Sequence, residues 1–124
     1  EEADYVLENI TGYDVSYPVV FDVEMIVNDD GRANGLSQKD RTDITIAFCD
    51  RIKAAGFTPM IYGNVKCFTK LLDMTRLNDY EKWYAFYDDY MYMPYEVGIW
   101  QYTEKGKVAG INTGVDLNIS YKEY

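Results

Sequence analysis

The chain has 124 residues, 48% of them hydrophobic, which is enough length and apolar content to bury a core and excludes a disordered tail. Its 21 acidic and 12 basic residues give a formal charge of -9, with the acids spread along the chain, so nucleic acid and anionic membranes are not expected partners. No run approaches the roughly 20 apolar residues of a spanning helix, so no membrane insertion is expected. With no His and only two Cys, a zinc site of the Cys/His type is excluded, and neither a metal nor a cofactor is expected.

Residues 1–10 read as a helix with Tyr5, Val6 and Ile10 as its apolar stripe. The chain is therefore expected to begin inside an element, as an excised piece does. The run Tyr17-Pro-Val-Val-Phe-Asp-Val-Glu24 has β-branched and aromatic residues on both faces, the pattern of a parallel strand covered on both sides. A polar loop is expected over 28–35. Ser37 with Asp40 then predicts a helix N-terminus, and Ile44, Ala47, Phe48, Ile52 and Ala55 recur at helical spacing up to a stop at Gly56. An apolar strand follows over 57–62. Strand, capped helix, Gly and strand predict a right-handed βαβ unit, the repeating unit of an α/β barrel.

A short helix over 65–72 and three strand-like runs, 82–87, 97–102 and 115–119, complete the chain, with turns expected at Gly106 and Gly110. No repeat or linker divides it. Residues 1–124 are expected to be one domain or a piece of one. Cys49 and Cys67 allow one disulfide, although a small buried thiol is the ordinary finding on an amphipathic helix such as the one carrying Cys49.

Asp22 and Glu24 stand two residues apart on the first strand, so both side chains share a face while Phe21 and Val23 take the other. The C-terminal end of a buried parallel strand is where barrel enzymes keep their chemistry, and acids there are costly to desolvate. Glycoside hydrolysis needs such a pair: one carboxyl gives a proton to the leaving oxygen, and one ionised group stabilises positive charge at the sugar carbon. Crowded like charges separate their proton affinities. Asp-x-Glu alone also fits a solvated strand end or a divalent-cation site, for which the Asp29-Asp30 loop is the nearest further acidic cluster.

The order of segments resembles the C-terminal two-thirds of a glycoside hydrolase family 25 muramidase. The matching pieces are the run ending at Glu24, then Phe48-Cys-Asp-Arg-Ile-Lys-Ala-Ala-Gly-Phe-Thr-Pro-Met-Ile-Tyr62 and Trp83-Tyr-Ala-Phe-Tyr87. Ile99-Trp-Gln-Tyr-Thr103, Gly106-Lys-Val-Ala-Gly-Ile111 and Val115-Asp-Leu-Asn118 follow, and these last three are the most specific. The resemblance implies an α/β fold: a partial irregular barrel, roughly the last five strands of a (β/α)5β3 barrel. It also implies cleavage of the β-1,4 bond between N-acetylmuramic acid and N-acetylglucosamine in peptidoglycan.

On that resemblance Glu24 is the general acid, Asp22 stabilises the acetamido group or the oxocarbenium-like centre, and Asp116 is a third acid of the cleft. Tyr62, Tyr87 and Trp100 fall on matching strand ends as candidate sugar contacts, with Gln101 and Asn118 as polar supports. The partner implied is a peptidoglycan glycan strand, and the setting is secreted or cell-wall associated. Three β/α units that open the family's barrel, with a further cleft aspartate on the first strand, have no counterpart in this sequence. The expectation is an open half-barrel with an exposed sheet edge, through which a homodimer could form. Two other readings stay open: a chitinase-like family 18 hydrolase, for which Val20 stands where another Asp is usual, and a glycan-binding piece that does not cut.

Overall fold

A computed structural model describes residues 1–25, 31 and 33–124. The elements are α1 (Glu2–Ile10), β1 (Val19–Asp22), α2 (Gln38–Ala54), β2 (Pro59–Asn64), β3 (Glu81–Ala85), β4 (Ile99–Gly106) and β5 (Val115–Ser120). A π-helical turn, Cys67–Leu71, and a short 3-10 turn, Met74–Arg76, lie between β2 and β3. The five strands form one open sheet in chain order. β1 to β4 run parallel, and β5 returns antiparallel to β4. This is the expected α/β partial barrel with its five strands in the expected places.

Parallel strands need crossovers, and the first is α2, whose two ends are set by local chemistry. Ser37 accepts from the Asp40 N–H at 3.1 Å and donates to the Asp40 carboxylate at 2.7 Å, so the two satisfy each other at the N-terminus. At the other end Gly56 adopts φ 92°, while its N–H and that of Phe57 return to the carbonyls of Lys53 and Ile52. That is a Schellman stop, which a residue with a Cβ disfavours.

The buried face of α2 differs from the one expected. Phe48 and Ile52 are buried, but Ile44, Ala47 and Ala55 are exposed, and Arg41, Thr42, Thr45 and Cys49 take their places. Two threonines can lie on the core side because their hydroxyls bond back to the carbonyls of Gln38 and Arg41, at 2.7 and 2.8 Å, which removes the cost of burying them. In α1 the expected Tyr5 is 70% exposed, and the inward side is Ala3, Val6, Leu7 and Ile10. Asp4 ties α1 to α2 through Arg51 at 2.7 Å.

The core lies between the helices and the outer face of the sheet, with Val19, Phe48, Ile52, Ile61, Phe68 and Tyr84 among its members. Phe21 of β1 packs on Phe48 of α2 with ring centroids 4.7 Å apart. Cys49 and Cys67 are both buried free thiols, so the possible disulfide is absent. Gly106 is not in a turn: it pairs with Val115 inside the hairpin, where a Cβ would stand 2.4 Å from Leu117 Cγ. Gly110, at φ 89°, does make the turn. The Asp29-Asp30 cluster, with residues 28 and 32 of the 28–35 loop, lies outside the described residues. Among the described residues no helix is long and apolar enough to cross a membrane.

Candidate active site

Because β1 to β4 are parallel, their C-terminal ends gather at one end of the sheet, and the carboxylates stand there. Asp22 is the last residue of β1 and has Tyr62 as its register partner. The backbone that joins Asp22 to Glu24 is held from two directions. The Val23 N–H donates to the Tyr62 carbonyl at 2.9 Å, and the Cys67 thiol donates to the Val23 carbonyl, with Asn64 Oδ1 in turn accepting from the Cys67 N–H. Val23 itself is buried at 3% exposure, whereas Asp22 and Glu24 are open to solvent on the other face. Their alternation is therefore the one the pleat demands.

Asp22 has its pKa raised to about 6, first because the surrounding walls strip part of its hydration and second because the Glu24 charge opposes its ionisation. Although its surface is largely exposed, the half-barrel at its back limits how water can reach it. The pair thus holds a proton in a pH range where an ordinary aspartate would have lost it.

Tyr62 and Tyr87 donate to the same Gln101 Oε1, at 2.9 and 2.7 Å, and Gln101 is only 3% exposed. The buried amide therefore fixes the angle of two phenols, one from β2 and one from the segment just after β3. Burial raises the Tyr62 hydroxyl pKa most, and the neighbouring Tyr87, Glu24 and Asp22 add to it, so the phenol stays protonated beside the acids. Burial also raises the Tyr87 pKa, with Asp116 the next cause, which puts Asp116 within electrostatic reach of the same wall. Trp83 meets Tyr62 edge to face at 5.0 Å and donates its indole N–H to Asn118 Oδ1 at 2.8 Å.

Asp22, Glu24, Tyr62, Tyr87, Gln101, Asn118 and Asp116 are thus gathered along one wall. Trp100 is not: its register partners are Tyr84 and Ile119, it is 9% exposed, and its indole N–H donates to the Phe86 carbonyl at 2.7 Å behind the sheet. The tryptophan of the cleft is Trp83, opposite Tyr62 in the register. The period-two alternation within the Trp83-Tyr-Ala run could have assigned it, once the register with Asp22 was known.

Arg41 also had no warning in the sequence. It is 4% exposed, donates through Nη2 to the Ala33 carbonyl at 2.6 Å, and lines a groove shared with Asp22 and Glu24, while its Nε finds no partner among the described residues. Its bond to Ala33 clips the segment after β1 to the first turn of α2.

An open, mostly parallel α/β sheet that brings two carboxylates and ring-lined walls to the C-terminal ends of its strands has the build of a barrel glycosidase. Residues 1–111 match Glycosyl hydrolases family 25, and the chain belongs to that family. The family 18 alternative is thereby set aside. The chain is 34% identical to a D-alanyl-L-alanine endopeptidase of Streptococcus phage B30 over 94% of its length, and it spans 27% of that protein. Among solved structures it is similar to the CTP1L endolysin, at a TM-score of 0.71 and 27% identity, over 96% of this chain and 40% of that one. It also shares the fold of the spore cortex lytic enzyme SleM of Clostridium perfringens, at a TM-score of 0.74 and 23% identity, over 96% of this chain and 43% of that one.

Proposed function

We propose that the protein is a peptidoglycan hydrolase, an N-acetylmuramidase that cleaves the β-1,4 bond between N-acetylmuramic acid and N-acetylglucosamine. The observation that carries this is the pair Asp22 and Glu24 at the C-terminal end of β1, on the face of the Tyr62, Trp83 and Tyr87 wall. Glu24 protonates the glycosidic oxygen as it leaves. Asp22, crowded by Glu24, orients the acetamido group or steadies the positive charge that develops at the sugar carbon. Asp116 contributes a third acid from the same wall as Tyr87. Tyr62, Tyr87 and Trp83 present ring faces and hydroxyls to the sugars, with Gln101 and Asn118 fixing their angles. The substrate lies outside the cell membrane, so the setting is the cell wall or the secreted fraction.

The test is release of new reducing ends from purified peptidoglycan by the chain, beside Glu24→Gln and Asp22→Asn. We expect wild-type release and a fall of about 100-fold or more in Glu24→Gln. Release of new amino groups in place of reducing ends would instead support the peptide-bond chemistry named for the phage relative. A second reading, a glycan-binding module that does not cut, is favoured by the β1 edge, which pairs with no further strand among the described residues and so lacks a strand wall on that side. It predicts binding that survives Glu24→Gln and no reducing ends from either protein. A second copy joined through the β1 edge would supply that wall, and the expected mass in solution is then twice the 14.4 kDa of one chain. A monomeric mass at low micromolar concentration removes the dimer.

A further inference from the structure

The hairpin of β4 and β5 outruns the rest of the sheet. β3 stops pairing with β4 at Ala85 and Gln101, yet β4 continues to Gly106, supported by β5 alone. At about 3.3 Å per residue, the stretch beyond Gln101 projects about 16 Å past the strand ends, on the carboxylate end of the sheet. Two register shifts, between Gln101 and Thr103 and between Thr103 and Gly106, bend it. Its ladder is close-packed: a Cβ at Gly106 would collide with the Leu117 side chain, and one at Gly114 would stand 3.0 Å from the Glu104 carbonyl. The finger is a built feature, and it carries Asp116 between the Thr103–Leu117 and Gly106–Val115 pairs.

Its chemistry changes along its length. Glu104 and Asp116 lie in the outer part of its ladder, whereas residues 105–114 contain no acid and present Lys105 and Lys107 with Val108 and Ile111, which are 44% and 49% exposed. Lys39, Arg51, Arg76 and Lys122 are paired with carboxylates, whereas Lys105 and Lys107, like Lys53, Lys66 and Lys70, have no ion pair among the described residues. On a chain of charge -9, an unpaired basic and apolar tip beside an acidic cleft separates two kinds of ligand. The cleft suits uncharged sugar, and the tip suits an anionic chain with aliphatic side groups.

We infer that the tip of the β4–β5 finger is the contact for the acidic peptide borne on the glycan strand, with Lys105 and Lys107 meeting its carboxylates and Val108 and Ile111 covering its aliphatic groups. This rests on the glycan reading of the cleft but is tested by binding, without turnover. Fluorescently labelled glycan strands carrying their peptides, the same strands with peptides removed, and a third set retaining wall phosphate polymer would be titrated with the chain. Wild type is expected to hold the peptide-bearing strands about fivefold more tightly than the bare ones. The Lys105→Gln/Lys107→Gln variant loses that preference, while Lys53→Gln, at the far end of α2, keeps it. Equal affinity for both strands, no binding to either, a preference that survives the double variant, or one that needs the phosphate polymer would each overturn the inference. If the wild type releases no reducing ends yet shows the preference, the cleavage reading fails and this one stands.

Discussion

At one edge of the sheet, β1 has four paired residues and is held by neighbours: a ring of α2 behind it, and, on Val23 just after it, the Tyr62 carbonyl and a cysteine thiol. At the other edge, β4 and β5 hold each other as a long hairpin whose glycines bring the two strands into close contact. The chemical groups sit on the first edge and the extended wall on the second. A short strand supported from behind can present two carboxylates with little backbone in the way, but it depends on α2 for its place. The hairpin depends on its own strand-to-strand packing.

That contrast can be broken at α2. Phe48→Ala removes the ring beneath Phe21 and should cost about 3 to 5 kcal/mol in urea unfolding, with β1 the region most loosened. An unfolding midpoint unchanged from wild type would mean that β1 is held by something other than α2. The hairpin should answer to a change of the opposite kind: Gly106→Ala adds a methyl where Leu117 already stands and should cost about 1 to 3 kcal/mol. Loss of amide protection confined to 99–120 would show that the wall is strained by itself. An effect spread to β1 would show that the two edges are coupled.

The smallest effect concerns charge. The folded chain holds the Asp22 proton more tightly than an unfolded one, so the contribution of Asp22 to stability is fully present below the ordinary value of 3.8 and is lost as pH rises toward about 6. Asp22→Asn cannot ionise and escapes that loss. Its Tm should exceed the wild-type value above pH 6 by about 3 °C or less, reflecting about 1 kcal/mol or less after solvent screening, and should match it below 3.8. A Tm difference that does not vary with pH would place the origin in packing and not in the proton.

The first βαβ unit and the carboxylate pair were legible in the sequence because each rests on local pattern: alternation at Asp22 and Glu24, the Ser37 cap, and the Gly56 stop. What was not legible depends on partners distant in sequence. The α2 face was misjudged because apolar residues were counted as the inward ones, whereas Thr42 and Thr45 bury their methyls and spend their hydroxyls on the helix's own carbonyls. Trp100 was named because it falls on a strand end that matches the family, and only the register across three strands tells which face is the cleft. Arg41 and Cys67 act through carbonyls of the segment after β1, contacts that no spacing rule announces.

The reversal of the two tryptophans has an optical consequence. They are the only indoles in the chain, one beside the cleft and half-exposed, the other behind the sheet and nearly enclosed. A Trp100→Phe variant would emit from the cleft alone, and its spectrum should shift when sugar covers Trp83. A Trp83→Phe variant would emit from the core alone and follow unfolding while ignoring ligand. Two single-indole proteins would then let occupancy and integrity be read as separate colours of one molecule.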